Sequence, residues 1–224
     1  LNQSSDWKGS LWGINDWEDR PNPKLNIDSW RSEAQKEPGT HYKYNDVRVN
    51  VLAYSLLNIY RKSLPKVLQQ NIMDRIGASD SWKWYGYENS WVNIDGYMVQ
   101  SVSGGGHNGG GVFINSEDHA RFGLLYLNNG LWNGERIISE EWIKKSITSS
   151  STNPEYGYMW WINHEDGEDY ASSDWKNVPT NVYYGAGFGG NYIVVIPDEN
   201  MVVVARWLGR EKIGTFIRMI LESL

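Results

Sequence analysis

Cysteine is absent from this sequence of 224 residues. Its absence excludes disulfides, catalytic thiolates and metal sites with cysteine ligands. His107 has no histidine or carboxylate partner at the spacing of a metal site, and we expect neither a metal nor a cofactor. The chain also lacks a recognisable signal peptide and an apolar run long enough to span a membrane. Because it begins with Leu1 rather than Met, we expect that an upstream segment has been removed or left out.

A surplus of positive charge is missing as well. The chain has 21 Lys and Arg residues against 27 Asp and Glu residues, which gives a net charge of -6. No basic run occurs, which argues against a nucleic-acid partner, since phosphate binding needs concentrated Lys and Arg side chains. Phenylalanine is scarce, with 4 residues, whereas there are 13 Trp and 14 Tyr residues. These amphipathic rings are typical of core and cleft walls, and a sugar-binding face is the alternative.

Helical spacing of apolar residues predicts several helices. A buried helix is predicted over residues 45–60, with Val49, Leu52, Leu56 and Ile59 on its inward face. Hydroxyl caps predict further helix starts at Ser63, Ser116 and Ser139. The predicted apolar face of a closing helix consists of Ile213, Phe216, Ile217, Ile220 and Leu224.

Two β-rich runs near the C-terminus, 192–196 and 201–207, predict a hairpin. We expect cleft-lining loops or short strands over 79–111 and a mobile polar loop over 163–181. The whole chain, 1–224, is predicted to be one partial domain of α+β (mixed α/β) class. Its predicted parts are extended loops over 1–38, a helical lobe with cleft loops over 39–180, and sheet strands with a closing helix over 181–224.

Three stretches in a fixed order carry a resemblance to a known family. They are Gly39-Thr40-His41-Tyr42-Lys43-Tyr44-Asn45-Asp46, the glycine turn and helix start at 110–123, and Tyr184-Gly185-Ala186-Gly187-Phe188-Gly189-Gly190-Asn191. Together they are similar to the C-terminal portion of β-lactamase-related serine hydrolases, in the branch of class C β-lactamases, penicillin-binding proteins and esterases. The resemblance implies a β-lactamase/transpeptidase-like fold whose N-terminal part is missing. It also favours a periplasmic or secreted location, since such relatives are commonly exported.

The resemblance also implies a chemistry. A Ser within Ser-x-x-Lys attacks an ester or amide carbonyl to form an acyl-enzyme, and the Tyr of a Tyr-x-Asn motif shuttles the proton. Tyr44 matches that Tyr, whereas Asp46 replaces the Asn, a departure that leaves substrate preference open. The alternative is that Tyr44 and Asp46 only begin a helix.

The third stretch is similar to the strand that carries the family's Lys/His-Thr-Gly motif. Gly185 and Ala186 replace the first two residues, or Tyr183 and Tyr184 do so if the register slips, and Gly187 is retained. Backbone N–H groups can still stabilise an oxyanion, and Phe188 N–H is the candidate donor. The alternative is that the glycines only allow a sharp turn.

His107 lies between two glycine triplets, where it is a candidate acid, base or substrate contact, although a structural loop histidine is the favoured interpretation.

The nucleophile is the missing part. Candidate Ser-x-x-Lys pairs are Ser5/Lys8, Ser63/Lys66 and Ser173/Lys176, and none lies on an amphipathic helix upstream of Tyr44. We therefore expect the nucleophile to precede Leu1 and the isolated chain to be inactive. The sheet should then expose an edge that an N-terminal segment or another copy could cover. The predicted function is a serine hydrolase acting on a small-molecule or peptide substrate: an ester, a cyclic amide or a D-amino-acid peptide. The alternative is a catalytically dead relative that binds glycan or peptide through a Trp-rich cleft.

Overall fold

The computed structural model describes residues 37–42, 44, 46–104, 111–164 and 175–224. The helices are α1 (Asp46–Tyr60), α2 (Leu64–Leu68), a π-helical turn (Gln69–Met73), α3 (Ser116–Leu127), α4 (Glu140–Ser146), short 3-10 helices at Pro197–Glu199 and Arg210–Lys212, and α5 (Ile213–Leu221). The strands are β1 (Lys83–Ile94), β2 (Tyr97–Val102), β3 (Gly111–Phe113), β4 (Leu131–Trp132), β5 (Glu135–Arg136), β6 (Trp161–Ile162), β7 (Tyr183–Gly187), β8 (Asn191–Ile196) and β9 (Met201–Ala205). No described helix has the length and apolar character needed to cross a membrane.

The described chain divides into two compact units. Unit 1 contains the described residues up to Asn71 and the segment Ser81–Ile114, and unit 2 contains Ile72–Asp80 and Asn115–Leu224. Helices and antiparallel sheets both occur, so the predicted mixed α/β class is confirmed.

Unit 1 is built on a three-stranded antiparallel sheet with the order β2-β1-β3. The prediction of loops or short strands over 79–111 was wrong here, since β1 runs for 12 residues. A bulge between Gly86 and Trp91 interrupts its register with β2. The side chain of Gln100 forms two hydrogen bonds with the backbone at the bulge. Its Nε2 donates to the Tyr87 carbonyl at 3.1 Å, and its Oε1 accepts from Gly86 N at 3.1 Å. These hydrogen bonds replace the ladder that the bulge removes.

Helix α1 packs in unit 1 through a face that only partly matches the predicted one, since Val49 and Leu56 contact the interior but Leu52 and Ile59 do not. Asn50, Ala53 and Leu57 are buried, whereas Leu52 is exposed and Ile59 is 74% exposed. The reason is the contact with the segment after β2, where Gly104 N donates to Asn50 Oδ1 at 2.8 Å. This bond places Asn50 on the buried side of the helix. The observed buried face is therefore about one residue, or 100° around the helix axis, from the predicted one.

Unit 2 contains a four-stranded antiparallel sheet with the order β6-β7-β8-β9. The predicted hairpin is confirmed, because β8 pairs with β9 from Tyr192↔Ala205 to Ile196↔Met201. The second strand ends at Ala205, however, two residues before the predicted end. Within the described part of the chain, β6 and β9 are the outer strands of this sheet, and the expectation that another segment or copy covers an edge stays a prediction.

Two apolar clusters cover the two faces of this sheet. One face carries Tyr184, Tyr192, Val194 and Ile196, packed with Ile213 and Ile217 of α5. The other face carries Tyr183, Ile193 and Val195, packed with Tyr126 and Ile143. Alternate residues of a strand point to opposite faces, so a strand buried on both sides is a continuous apolar run. The closing helix is confirmed, although Phe216 and Leu224 are exposed rather than buried.

The predicted helix caps are confirmed at two of three positions. Ser63 and Ser139 accept hydrogen bonds from the backbone N–H groups of Lys66 and Trp142. The cap of α3 is Asn115 rather than Ser116, because Asn115 Oδ1 accepts from Asp118 N at 2.7 Å. The Asn side chain is also a strong helix cap.

The side chain of Asp118 in α3 is buried and accepts three hydrogen bonds. Its donors are Ser79 N at 2.9 Å, Ser79 Oγ at 2.6 Å and Asn115 Nδ2 at 2.7 Å. Burial alone would raise the pKa of Asp118, but these hydrogen bonds and the charge of Arg121 outweigh it and lower the pKa. The carboxylate therefore ties the segment around Ser79 to the start of α3.

The segment 163–181 was predicted to be a mobile loop, and its described C-terminal part contradicts this. Trp175 and Val178 are buried in the core of unit 2, and the Trp175 ring stacks on Tyr184 with centroids 4.4 Å apart. Asn163 Nδ2 donates to the carbonyls of Val178 and Pro179, so these two residues are also held by hydrogen bonds. The polar composition of this segment predicts a loop, but its apolar residues Trp175 and Val178 pack in the core.

Candidate active site

Tyr44 and Asp46 lie together at the start of α1 in unit 1. The helix begins at Asp46, and Tyr44 precedes it by two residues with 38% of its surface exposed. The side chain of Asp46 lies outside the described residues. The role of Tyr44 in proton transfer stays a prediction.

The glycine-rich segment that contains His107 is anchored at its start. Gly104 packs so closely on α1 that a Cβ atom placed there would lie 2.1 Å from Cγ1 of Val49. Only glycine allows this approach of the backbone. His107 itself lies outside the described residues, so its proposed contact stays a prediction.

Strand β7 positions the third motif in unit 2. Tyr183 and Tyr184 are both buried, one in each apolar cluster. A slipped register would therefore place the first two motif positions in the core, which favours Gly185 and Ala186 as the residues at those positions. Gly187 closes the strand, pairing with Asn191 across the turn to β8.

The turn from β7 to β8 presents Phe188 to solvent. Phe188 is 89% exposed, and Gly189 and Gly190 both have φ of 78°. Asn191 Nδ2 donates to the Phe188 carbonyl at 2.8 Å and Gly190 N donates to Gly187 O at 3.2 Å, so the turn is held in one conformation. Within the described residues, the Phe188 N–H has no hydrogen-bond acceptor. An N–H group fixed in this way is suited to stabilise an oxyanion.

Arg206, which follows β9, links this turn to the start of α3. Its Nη1 donates to Asn191 Oδ1 at 3.4 Å, Nη2 to the Asn115 carbonyl at 3.3 Å, and Nε to Ser116 Oγ at 3.3 Å. Sequence analysis did not identify Arg206 or Asn191 as site residues. The available signal was a single cation at the end of an apolar strand. The guanidinium adds positive potential beside the residue that holds the turn.

His119 lies on α3, close to Arg206. Burial first, and then the positive charge of Arg206, lower the pKa of His119 from 6.5 to about 4. Its Nδ1 atom is buried and has no hydrogen-bond partner in the described part of the chain. The imidazole is therefore neutral at pH 7.

Among the candidate nucleophile pairs, only Ser63/Lys66 is described in full. Ser63 Oγ accepts from Lys66 N at 3.4 Å as the cap of α2, so this hydroxyl has a structural role. No group of three or more His, Asp or Glu side chains in the described ranges could hold a metal ion.

The chain has a β-lactamase/transpeptidase-like fold with helices and antiparallel sheets, as predicted. The sequence model of the beta-lactamase family matches residues 13–208. The chain therefore belongs to the β-lactamase family, which confirms the resemblance seen in its sequence.

Several known proteins are similar to parts of the chain. An uncharacterized protein of Alkalihalophilus pseudofirmus is 25% identical over 150 residues, which are 59% of this chain and 43% of that protein. A structure described as a candidate 6-aminohexanoate-dimer hydrolase from Bacillus anthracis has a TM-score of 0.60 and 21% identity, covering 84% of this chain and 46% of that one. The structure of a β-lactamase from Mycobacterium bovis has a TM-score of 0.61 and 16% identity, and the match covers 85% of this chain and 67% of that one. The chain thus spans less than half the length of the first two proteins.

Proposed function

We propose that the full-length protein containing this chain is a serine hydrolase that works through an acyl-enzyme. The observation that carries this proposal is the family match over residues 13–208. The similar structures from Bacillus anthracis and Mycobacterium bovis, described as a hydrolase and a β-lactamase, support it further. The proposed substrates are an ester, a cyclic amide or a D-amino-acid peptide.

In the proposed reaction a serine oxygen attacks the carbonyl carbon of the substrate. Tyr44 accepts the serine proton and passes it to the leaving group as the bond between carbonyl carbon and leaving group breaks. The Phe188 N–H donates to the oxyanion that forms in each step, and Gly187 allows the backbone approach. Water then cleaves the acyl–serine ester. Asp46 and His107 are proposed to contact the substrate near this centre.

The turn after β7 supports the role of Phe188. The peptide unit that carries its N–H is held by the hydrogen bond from Gly190 N to the Gly187 carbonyl, and Arg206 adds a positive charge beside Asn191, which holds the Phe188 carbonyl. This arrangement would stabilise the negative charge of the oxyanion, although the Lys or His side chain of the family's Lys/His-Thr-Gly motif is replaced by Gly185. The serine is proposed to lie outside this chain, so the chain alone should be inactive.

Substitution of Tyr44 tests the proposed mechanism. Tyr44→Phe in the full-length protein removes the phenol oxygen, so kcat for 4-nitrophenyl acetate should fall by about 10²–10⁴-fold. Tyr60→Phe is the matched control, because Tyr60 is exposed at the other end of α1 and should leave the rate unchanged. An unchanged rate in Tyr44→Phe would remove Tyr44 from the mechanism.

The alternative function is binding of glycan or peptide by a catalytically dead relative. The observation that favours it is the set of exposed rings in unit 1: Tyr85, Trp91, Tyr97 and Phe113. Exposed aromatic side chains are enriched at binding surfaces. A full-length protein that hydrolyses no ester but binds a peptidoglycan fragment, measured by calorimetry, would favour this alternative.

A further inference from the structure

Trp207 combines an unfavourable backbone conformation with an exposed side chain. Its φ is 57°, which lies in the left-handed region, and 81% of its surface is exposed. This region favours glycine and asparagine, and a bulky aromatic residue there is a genuine outlier. Since the ring is mostly in solvent, packing in the core does not compensate for the backbone strain.

The backbone conformation at position 207 has a structural role, whereas most of the indole ring lies in solvent. The kink after β9 lets Leu208 N donate to the Gly190 carbonyl at 3.1 Å. The approach is so close that a Cβ atom placed on Gly190 would lie 2.0 Å from the Leu208 carbonyl oxygen. Glycine at position 207 would adopt the same φ without strain. Strained residues of this kind cluster at functional sites, where the side chain has a use of its own.

The ring of Trp207 lies against the turn that contains the proposed oxyanion donor. A Cβ atom placed on Gly189 would lie 2.9 Å from Cζ3 of Trp207, so the indole contacts this glycine. Phe188 precedes Gly189 and has the most exposed ring in the described residues, at 89%. Two solvent-facing aromatic rings therefore lie at the turn that carries the Phe188 N–H.

We propose that Trp207 and the Phe188 ring form a subsite that receives an apolar acyl group of the substrate. The inference rests on the proposed function, since it places the acyl chain next to the carbonyl held by the Phe188 N–H. Aromatic faces remove aliphatic CH2 groups from water, so longer acyl chains should be preferred. The substrate class is thereby narrowed to esters or amides of medium-chain or aromatic acids.

The test compares 4-nitrophenyl octanoate with 4-nitrophenyl acetate as substrates of the full-length protein. The wild type should prefer the octanoate in kcat/KM. Trp207→Gly should lower kcat/KM for the octanoate about tenfold and change that for the acetate less than twofold. The same substitution should leave the melting temperature unchanged or raise it, because it relieves the strain. Phe188→Ala should reduce the octanoate preference while keeping the backbone donor.

Met159→Gly is the matched control. Met159 also has a positive φ, 68°, and is half exposed, so this substitution relieves a similar strain without altering the substrate preference. An active wild type whose octanoate-to-acetate ratio survives Trp207→Gly would overturn the subsite alone. A lower melting temperature in Trp207→Gly would also overturn it, because the ring would then have a structural role. A wild type that hydrolyses neither ester would overturn the proposed function and the subsite with it.

Discussion

The sheets of the two units are stabilised in different ways. In unit 2, five successive β8 residues from Tyr192 to Ile196 are buried between two apolar clusters. In unit 1, by contrast, Trp91, Tyr97 and Phe113 lie exposed on the sheet. The register of that sheet depends on polar contacts at the β1 bulge and on the close approach of its strands.

Because of this difference, we expect the stability of the two sheets to be sensitive to different kinds of substitution. A sheet covered on both faces gains most of its stability from apolar area removed from water. A sheet with exposed rings and a bulge depends instead on hydrogen bonds and on glycines that allow close contact. Apolar truncation should therefore affect unit 2 most, and added volume at a glycine should affect unit 1.

Truncation of Ile196 should give the largest effect. The side chain is fully buried in the cluster on the α5 side of the sheet. Ile196→Ala should lower the free energy of unfolding by about 2–5 kcal/mol, measured by denaturant titration, because it leaves a cavity. The control is Tyr97→Ala on β2 of unit 1, where the ring is 76% exposed. That change should stay within about 0.5 kcal/mol, and equal losses at the two positions would contradict the comparison.

A methyl group added at Gly86 should have the next largest effect. A Cβ atom there would lie 2.0 Å from the Ser101 carbonyl oxygen and 2.5 Å from Ser90 Oγ. Since backbone cannot move aside easily, Gly86→Ala should cost about 1–3 kcal/mol of unfolding free energy. In β7 of unit 2, a Cβ on Gly187 would meet Asn191 only at 3.4 Å. Gly187→Ala should therefore leave the stability near that of the wild type, and a comparable loss there would break the contrast.

The effect of His119, a partly buried ionisable group in unit 2, should be smaller at any one pH near neutrality and should build up over several pH units. Its pKa falls from 6.5 to about 4 on folding, so the unfolded chain binds the proton more tightly. The unfolding free energy should decrease as pH falls from 6.5 to 4, by at most about 1.4 kcal/mol per pH unit. His119→Gln should flatten this part of the stability profile, measured by denaturant titration at several pH values. An identical profile in the variant would show that His119 is not the group that titrates.

The elements of the fold that depend on local patterns could be predicted from sequence. The β8–β9 hairpin follows from two β-branched runs around a Pro-Asp-Glu-Asn turn, and Ser63 and Ser139 cap helices as expected. The buried face of α1 could not be predicted, because apolar residues occupy two neighbouring stripes and the Asn50–Gly104 hydrogen bond selects between them. That contact joins residues far apart in sequence.

The candidate site shows the same limit. Glycines mark the turn at 187–190, so Gly187 and Phe188 could be identified from sequence. The roles of Asn191 and Arg206 arise from the pairing of β8 with β9, which brings two distant residues together. The strain at Trp207 could not be predicted from sequence. Tryptophan is common in strands, so the apolar run predicts a strand that continues past Ala205 to Trp207.

The hydrogen bonds of Asp118 have a consequence for dividing this protein into fragments. Ser79, which supplies two of the three donors, belongs to a segment of unit 2 that is separated from Asn115 by the β1–β3 region of the chain. A recombinant piece starting at Asn115 would retain the buried carboxylate but lose both Ser79 donors. A fragment that starts at Asn115 should therefore be less stable than the intact unit 2. A permuted unit 2, in which a linker joins residues 72–80 to residues 115–224, would keep these hydrogen bonds.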